Sequence, residues 1–199
     1  MVAVLLAVNV AVFLLAGTAA PVFATFALWP IGAFTDPATG MTVGFEPWQL
    51  LTSAFLHGSF LHLALNMLGL WTFGREVEAA LGTRRFAQLY CAAVLAAALV
   101  QLVVVSGAAG PPVPTVGASG GVYGVLLAFG MLFPRRTVML LIPPVPLPAW
   151  AAVALFAAVE LVGGVLGTLS GVAHFAHLGG MLGAWLLLRR RRRAGRLDT

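Results

Sequence analysis

Lysine is absent from this sequence, cysteine occurs once, and only 9% of the 199 residues are charged. A typical soluble domain has about 25% charged and 45–50% apolar residues, whereas 61% of the residues here are hydrophobic. Disorder is excluded as well, because a disordered chain combines low hydrophobicity with high net charge. The single cysteine, Cys91, excludes an intramolecular disulfide. These absences leave a polytopic membrane protein.

Several mainly apolar stretches are candidates for membrane helices, each of which needs about 20 apolar residues to cross the hydrocarbon core. The stretches are 2–29, 54–73, 86–105, 119–133, 148–167 and 172–188. The first could instead be a signal peptide, but no basic residues precede its apolar run, so we expect it to be retained as a helix. The sequence therefore predicts an all-α bundle of six transmembrane helices, in which residues 1–199 form one membrane domain.

The arginines predict how the chain is oriented. They lie at positions 75, 84, 85, 135 and 136 and in the last eleven residues, and they give the chain its net charge of +5. All of them fall on one side of the membrane if both termini are cytoplasmic, which is the arrangement that the positive-inside rule requires. We expect the basic tail, 189–199, to bind anionic lipid headgroups. The basic charge thus implies a lipid bilayer as partner and no nucleic acid.

Polar side chains at membrane depth are costly and mark a functional site by default. The candidates are His57, His62, Asn66, Ser119, Glu160, His174 and His177. His62 and Asn66 are four residues apart, so they share one helix face, and they require a polar cavity inside the bundle. We expect Glu160 to hydrogen-bond a neighbouring helix and His174 to be a water-accessible neighbour of His177.

Ser119 opens a stretch that is too short to cross the membrane. Residues 119–133 give about 22 Å of helix against a hydrocarbon core of about 30 Å. Because residues 106–117 are rich in glycine and proline, we expect Ser119 at a helix N-terminus below the outer surface. The free N–H groups and the dipole of a helix N-terminus favour the oxyanion that forms when a serine attacks a carbonyl group. Gly117 and Gly120 would let a substrate backbone approach.

A serine nucleophile needs a base, and His177 is the best candidate because histidine titrates near neutral pH. It is followed by Gly179, Gly180 and Gly183, and small residues allow two membrane helices to approach closely. Close packing of the sixth helix on the fourth is therefore expected to bring His177 within hydrogen-bond reach of Ser119.

Three short motifs carry these residues. Residues 117–120 read Gly-Ala-Ser-Gly, residues 176–180 read Ala-His-Leu-Gly-Gly, and residues 62–66 read His-Leu-Ala-Leu-Asn. They resemble, in order and in placement on the helices, the nucleophile motif, the histidine motif and the His-x-x-x-Asn motif of the rhomboid family of intramembrane serine proteases. The resemblance covers a core of about 46–188 and implies a rhomboid-like six-helix bundle.

The resemblance implies a Ser-His dyad that uses neither a cofactor nor a metal ion. Ser119 would be the nucleophile, and His177 the general base and later the acid. His62 and Asn66, with the backbone N–H of Ser119, would form the oxyanion hole. The ring of Tyr123 would pack on His177 and orient it in place of a carboxylate.

Further expectations concern supporting residues and the substrate. His57 resembles a family histidine with a structural hydrogen-bonding role, and Glu76 and Glu78, beside Arg75, match a pattern for which we expect ion pairs. Glu160 lies in the segment that the family uses as a lateral gate. The resemblance implies single-pass membrane proteins as substrates, and the lysine-free, alanine- and arginine-rich composition suggests a bacterial cytoplasmic membrane.

Other classes of function remain as alternatives. A metal site would use the pairs His57/His62 and His174/His177, but neither pair has the His-Glu-x-x-His pattern of zinc proteases. A non-catalytic rhomboid-like protein that binds membrane helices would typically have lost the serine or the histidine. A transporter would show a repeat of hydropathy between its halves, and none is visible. The favoured hypothesis is an intramembrane serine endopeptidase.

Overall fold

The computed structural model describes residues 1–140, 144–167 and 172–193, most of which are helical. The helices are α1 (Val2–Ala16), α2 (Ala20–Phe26), α3 (Gln49–Thr52), α4 (Phe60–Leu81), α5 (Thr83–Gly107), α6 (Ser119–Leu132), α7 (Ala149–Leu166) and α8 (His174–Arg193), with a 3-10 turn at Ser53–Phe55. Each predicted stretch overlaps one of the longer helices. The predicted connection 168–171 and the tail residues 194–199 lie outside the described residues.

Two of the predicted stretches are interrupted. The single helix predicted over 2–29 is wrong, because the chain breaks after α1 at Gly17, whose φ is 55°. Pro21 then lies in the first turn of α2, where its missing N–H is not needed. The helix predicted from residue 54 begins only after Ser59, whose hydroxyl accepts the His62 N–H at 3.1 Å and caps α4.

Short antiparallel strand pairs add to the predicted all-α fold. β1 (Phe34–Thr35) pairs with β2 (Thr42–Val43), and β3 (Thr137–Met139) pairs with β4 (Pro146–Pro148). Prolines are tolerated in β4 because the outer edge of a strand pair needs no N–H donors. The sequence pattern does not indicate these pairs, because two or three residues are too few to show an alternation of apolar and polar side chains.

The loop before α3 is held by the buried side chain of Gln49. Its Oε1 accepts the N–H of Trp29 at 3.1 Å and that of Glu46 at 3.2 Å. Its Nε2 donates to the carbonyl oxygen of Gly44 at 3.1 Å. Nε2 also donates to the carbonyl oxygen of Thr25 at 3.4 Å. One amide thus provides partners for four backbone groups, and the loop folds back on the bundle.

Helices α5 and α7 are each long and apolar enough to cross a membrane. The segment Gln49–Phe55 and α4, which meet at an angle of 98°, give a third candidate span if the bent pair is counted as one. Helices α1 and α6 are apolar but shorter. Six spans, and the cytoplasmic placement of both termini, therefore stay predictions.

The acidic residues near the end of α4 make ionic contacts, as expected, but not with Arg75. Glu76 lies 3.2 Å from Arg136. Glu78 forms an ion pair of 2.5 Å with the N-terminal amino group and accepts a backbone N–H of α1 at 2.8 Å. The guanidinium of Arg75 instead lies 4.2 Å above the ring of Trp71, a favourable cation–π distance. These contacts tie α4 to α1 and to the connection after α6.

Helices α6 and α8 meet at their backbones. A Cβ atom at Gly180 would lie 1.9 Å from the carbonyl oxygen of Gly120, and one at Gly124 would lie 2.9 Å from the carbonyl oxygen of Gly180. Helix α5 also packs closely on α8, since a Cβ at Gly183 would lie 2.6 Å from the carbonyl oxygen of Ala92. Small residues permit this approach between membrane helices. The expected close packing of the sixth helix on the fourth is therefore present.

We predict that Gly180→Ala lowers the free energy of unfolding by about 1–3 kcal/mol, the usual cost of overpacking. The reason is that the added methyl group would overlap the carbonyl oxygen of Gly120. Circular dichroism during a titration of detergent-solubilised protein with sodium dodecyl sulfate measures the change. Gly107→Ala is the matched control, because a Cβ there meets nothing within 4 Å in the described chain. Equal midpoints for the two variants would contradict the prediction.

Candidate active site

Ser119 is the first residue of α6, where the sequence places it. Gly117 leads into the helix with a φ of 126°, a conformation that favours glycine, and its N–H donates to the carbonyl oxygen of Ser53 at 2.9 Å. A Cβ at Gly117 would lie 2.7 Å from the ring of His62, so space also requires a glycine. The backbone N–H of Ser119 therefore belongs to the first turn of a helix, where it has no partner within the helix.

His177 faces Ser119 across the contact between α8 and α6. Its Nε2 lies 2.7 Å from Oγ of Ser119, a hydrogen-bond distance between residues 58 positions apart in the chain. His177 is buried in the first turn of α8. Gly180 lies one turn further along α8 and contacts Gly120, the neighbour of Ser119. The structure thus brings together the residues predicted as nucleophile and base.

The ring of Tyr123 stacks on that of His177. The ring centroids are 4.2 Å apart and the planes are inclined by 4°. Tyr123 lies one turn after Ser119 on α6, so one helix holds both the hydroxyl and the ring that contact the imidazole. The stack restrains the plane of the imidazole, as the sequence predicts.

The carboxylate of Glu160 on α7 joins this cluster. The hydroxyl of Tyr123 donates to one carboxylate oxygen, and the other, Oε2, lies 2.6 Å from Nδ1 of His174 and 3.0 Å from Nδ1 of His177. The expectation that Tyr123 takes the place of a carboxylate did not include a carboxylate near His177, whereas the structure has both groups beside the imidazole. Contrary to expectation, His174 is not water-accessible, with 6% exposure, because its ring packs against Gly163 of α7.

His62 and Asn66 lie beside the start of α6. The ring of His62 contacts Gly117, two residues before Ser119, and Asn66 is buried. The Nδ2 of Asn66 donates to the backbone carbonyl of His62 at 2.9 Å. An amide nitrogen carries two hydrogens, so this bond leaves one donor of Asn66 for another acceptor.

The ring of His57 lies edge-on to that of His62, with the centroids 5.1 Å apart. In the described part of the chain its ring nitrogens have no well-aligned hydrogen-bond partner, and its polar contact is with the backbone of Phe55. The hydrogen-bonding role expected of His57 stays a prediction. The turn between the 3-10 segment and α4 leaves the residue 1% exposed, so His57 packs behind His62. Within the described ranges, no three His, Cys, Asp or Glu side chains are placed to hold a metal ion.

A cavity adjoins Ser119. Its polar lining includes Ser53, Gln101 and Thr115, and Nε2 of Gln101 donates to the hydroxyl of Thr115 at 3.2 Å. Small residues, among them Ala97, Ala98 and Gly120, form much of the remaining wall. The sequence motifs do not include Gln101, although an amide in the middle of the apolar run 89–105 is the kind of signal that marks Asn66.

Comparison with known proteins places these residues in a family. The family model of the rhomboid domain matches residues 44–193. Rhomboid protein 1, mitochondrial, from Saccharomyces cerevisiae is 38% identical over 141 residues, which are 67% of this chain and 39% of that protein. Presenilin-associated rhomboid-like protein A, mitochondrial, from Danio rerio is 34% identical over 140 residues, 69% of this chain and 36% of that protein.

A bacterial relative matches over a shorter stretch. Rhomboid protease GluP from Bacillus subtilis is 40% identical over 81 residues, which are 41% of this chain and 15% of that protein. The chain thus spans less than two fifths of the length of each of these three relatives. The two that match two thirds of the chain are mitochondrial, which does not fit the bacterial cytoplasmic membrane that composition suggested. With a domain match over most of its length, the chain belongs to the rhomboid family, whose fold is a polytopic bundle of membrane helices.

Proposed function

We propose that this protein is an intramembrane serine endopeptidase that cleaves peptide bonds in or near the transmembrane segments of single-pass membrane proteins. The observation that carries the proposal is the 2.7 Å contact between Oγ of Ser119 and Nε2 of His177. A serine hydroxyl beside an imidazole is an activated nucleophile. Family membership supports the proposal, since one relative is named a rhomboid protease.

His177 acts first as general base and then as general acid. Nε2 takes the proton of the Ser119 hydroxyl while Oγ attacks the peptide carbonyl carbon, which gives a tetrahedral oxyanion. The imidazolium passes the proton to the leaving nitrogen, the C–N bond breaks, and an ester joins the substrate to Ser119. The same imidazole then takes a proton from a water molecule, which hydrolyses the ester and restores both side chains.

The oxyanion is stabilised by donors that surround the start of α6. The backbone N–H of Ser119 is free within its helix and lies at the positive end of the helix dipole. Asn66 has one amide hydrogen beyond its bond to the carbonyl of His62, and the His62 ring contacts Gly117. A preorganised donor of this type contributes about 10²–10³-fold to kcat.

The substrate is a membrane segment that can unwind locally. An intact helix hides its carbonyl groups in internal hydrogen bonds, so the attacked bond must lie where the helix is weak or has ended. The cavity beside Ser119 is small, with a volume of about 30 Å³. A small side chain, such as that of alanine or glycine, therefore suits the residue next to the cleaved bond.

We predict that Ser119→Ala and His177→Ala each lower the rate of cleavage of a model single-pass substrate by at least about 10³-fold, since each removes half of the nucleophile–base pair. The measurement is product formation by purified protein in liposomes, with and without a chelator. Ser106→Ala is the matched control, because Ser106 is an exposed serine whose hydroxyl accepts the N–H of Ile31 in the described part of the chain and lies outside the proposed site.

Other outcomes would favour other functions. Substrate binding without cleavage by the wild-type protein would favour the non-catalytic, helix-binding alternative. Cleavage that a chelator abolishes would favour metal chemistry. Cleavage by Ser119→Ala at the wild-type rate would contradict the proposed site.

We also predict that Asn66→Ala lowers kcat by about 10²-fold and changes KM little, because an oxyanion donor acts on the transition state rather than on the bound substrate. Initial rates over a range of substrate concentrations in detergent separate the two constants. Gln88→Ala removes an exposed amide on α5 that contacts Arg191 and serves as control. A rise in KM at constant kcat would show that Asn66 binds substrate instead.

A further inference from the structure

Glu160 is a carboxylate on an otherwise apolar membrane helix. It is 5% exposed, and its neighbours along α7 are alanine, valine, leucine and glycine. A buried carboxylate is costly unless charged or hydrogen-bonded groups surround it. In the described part of the chain its partners come from two other helices, Tyr123 on α6 and the histidines at 174 and 177 on α8.

The two carboxylate oxygens have different partners. One accepts the hydroxyl of Tyr123. The other, Oε2, lies 2.6 Å from Nδ1 of His174 and 3.0 Å from Nδ1 of His177. The second contact is within ion-pair distance, but its direction falls short of a hydrogen bond, so Nδ1 of His177 is buried without an aligned partner.

The proposed reaction requires one tautomer of His177. Nε2 faces Oγ of Ser119 at 2.7 Å and must be unprotonated to act as a base. A neutral imidazole has one N–H, so the hydrogen must lie on Nδ1. An acceptor beside Nδ1 selects this tautomer and stabilises the imidazolium that forms when Nε2 takes a proton.

Stacking on Tyr123 alone cannot fix which way the imidazole of His177 faces. The ring of Tyr123 is parallel to that of His177 within 4°, which restrains the plane of the imidazole. A half turn of the imidazole about its Cβ–Cγ bond would keep the plane and move both nitrogens away from their partners. An acceptor at Nδ1 discriminates between these two orientations, and Oε2 of Glu160 is 3.0 Å from that atom.

We propose that Glu160 is a positioning residue that holds His177 in the Nδ1–H tautomer and stabilises its protonated form, so that the site works as Glu160–His177–Ser119. This inference rests on the proposed function. Tyr123 belongs to the same connected set, because it stacks on the imidazole and donates its hydroxyl to the carboxylate. Orientation of the base thus depends on α7 as well as on α6 and α8.

The test is cleavage of the model substrate by the wild-type protein and Glu160→Gln between about pH 5 and 9. We expect kcat to fall by about 10–10³-fold with KM within threefold, because the amide keeps the shape but loses the charge. The acid limb of the profile of kcat/KM should move to lower pH, because the carboxylate charge that favours the imidazolium is lost. The titratable groups around His177 are Glu160 on α7, Tyr123 on α6, His62 on α4 and, one turn away on α8, His174.

Two further variants separate positioning from stability. Glu160→Asp keeps the charge and should restore part of kcat and the wild-type acid limb. Glu76→Gln is the control, because it makes the same chemical change in a partly exposed ion pair with Arg136. Glu76 lies ten residues after Asn66 on α4, or about 15 Å along the helix. This variant should leave the pH profile unchanged. A merely structural role would lower the unfolding midpoint of Glu160→Gln in detergent without moving the acid limb.

The outcomes keep the two proposals apart. If Ser119→Ala is inactive while Glu160→Gln retains the wild-type kcat and pH profile, the positioning role is overturned and the protease stands. If Ser119→Ala remains active, the proposed function itself fails. Should Glu160→Gln not fold, 15N NMR of histidine-labelled wild-type protein decides: hydrogen on Nδ1 of His177 at neutral pH supports the role, and hydrogen on Nε2 overturns it.

Discussion

The close contact between the backbones of α6 and α8 is the constraint on which the rest of the site depends. Gly120 follows Ser119 directly, and Gly180 lies one turn after His177, so the contact between these glycines sets how near the hydroxyl and the imidazole can come. A side chain at Gly180 would separate the two helices, and one at Gly120 would overlap Ala97 of α5. The large residues of the core pack around this contact, but none of them lies between the two glycines.

Hydrocarbon imposes the second constraint, because a polar group in it needs a partner within the protein. The side chains of Tyr123, Glu160 and His174 meet this need for one another on three different helices. Gln49 does the same for the backbone of the loop before α3. His57 meets this need less well, since it is buried beside His62 without a well-aligned hydrogen-bond partner in the described chain.

Hydropathy was enough to predict where the longer helices lie, and the glycine- and proline-rich stretch before Ser119 was enough to predict that α6 starts there. The breaks at Gly17 and at Ser59 were not predictable from apolar composition, because both lie within or beside apolar stretches. Glu160 was recognisable as a buried acid. The partners of Glu160 were not predictable, because a single polar residue on α7 does not reveal which side of that helix faces α6 and α8. Its position near the outer end of a helix predicts that His174 is exposed to water. The ring is buried instead, because Gly163 leaves room for it inside the bundle.

The contact between Gly120 and Gly180 joins main-chain atoms alone. Side chains such as leucine exchange between rotamers, and a contact made by them has several arrangements of similar energy. Main-chain atoms within a helix have no such alternatives, because hydrogen bonds along the helix hold them in place. The spacing between Ser119 and His177 is therefore insensitive to how the surrounding core or the lipid rearranges.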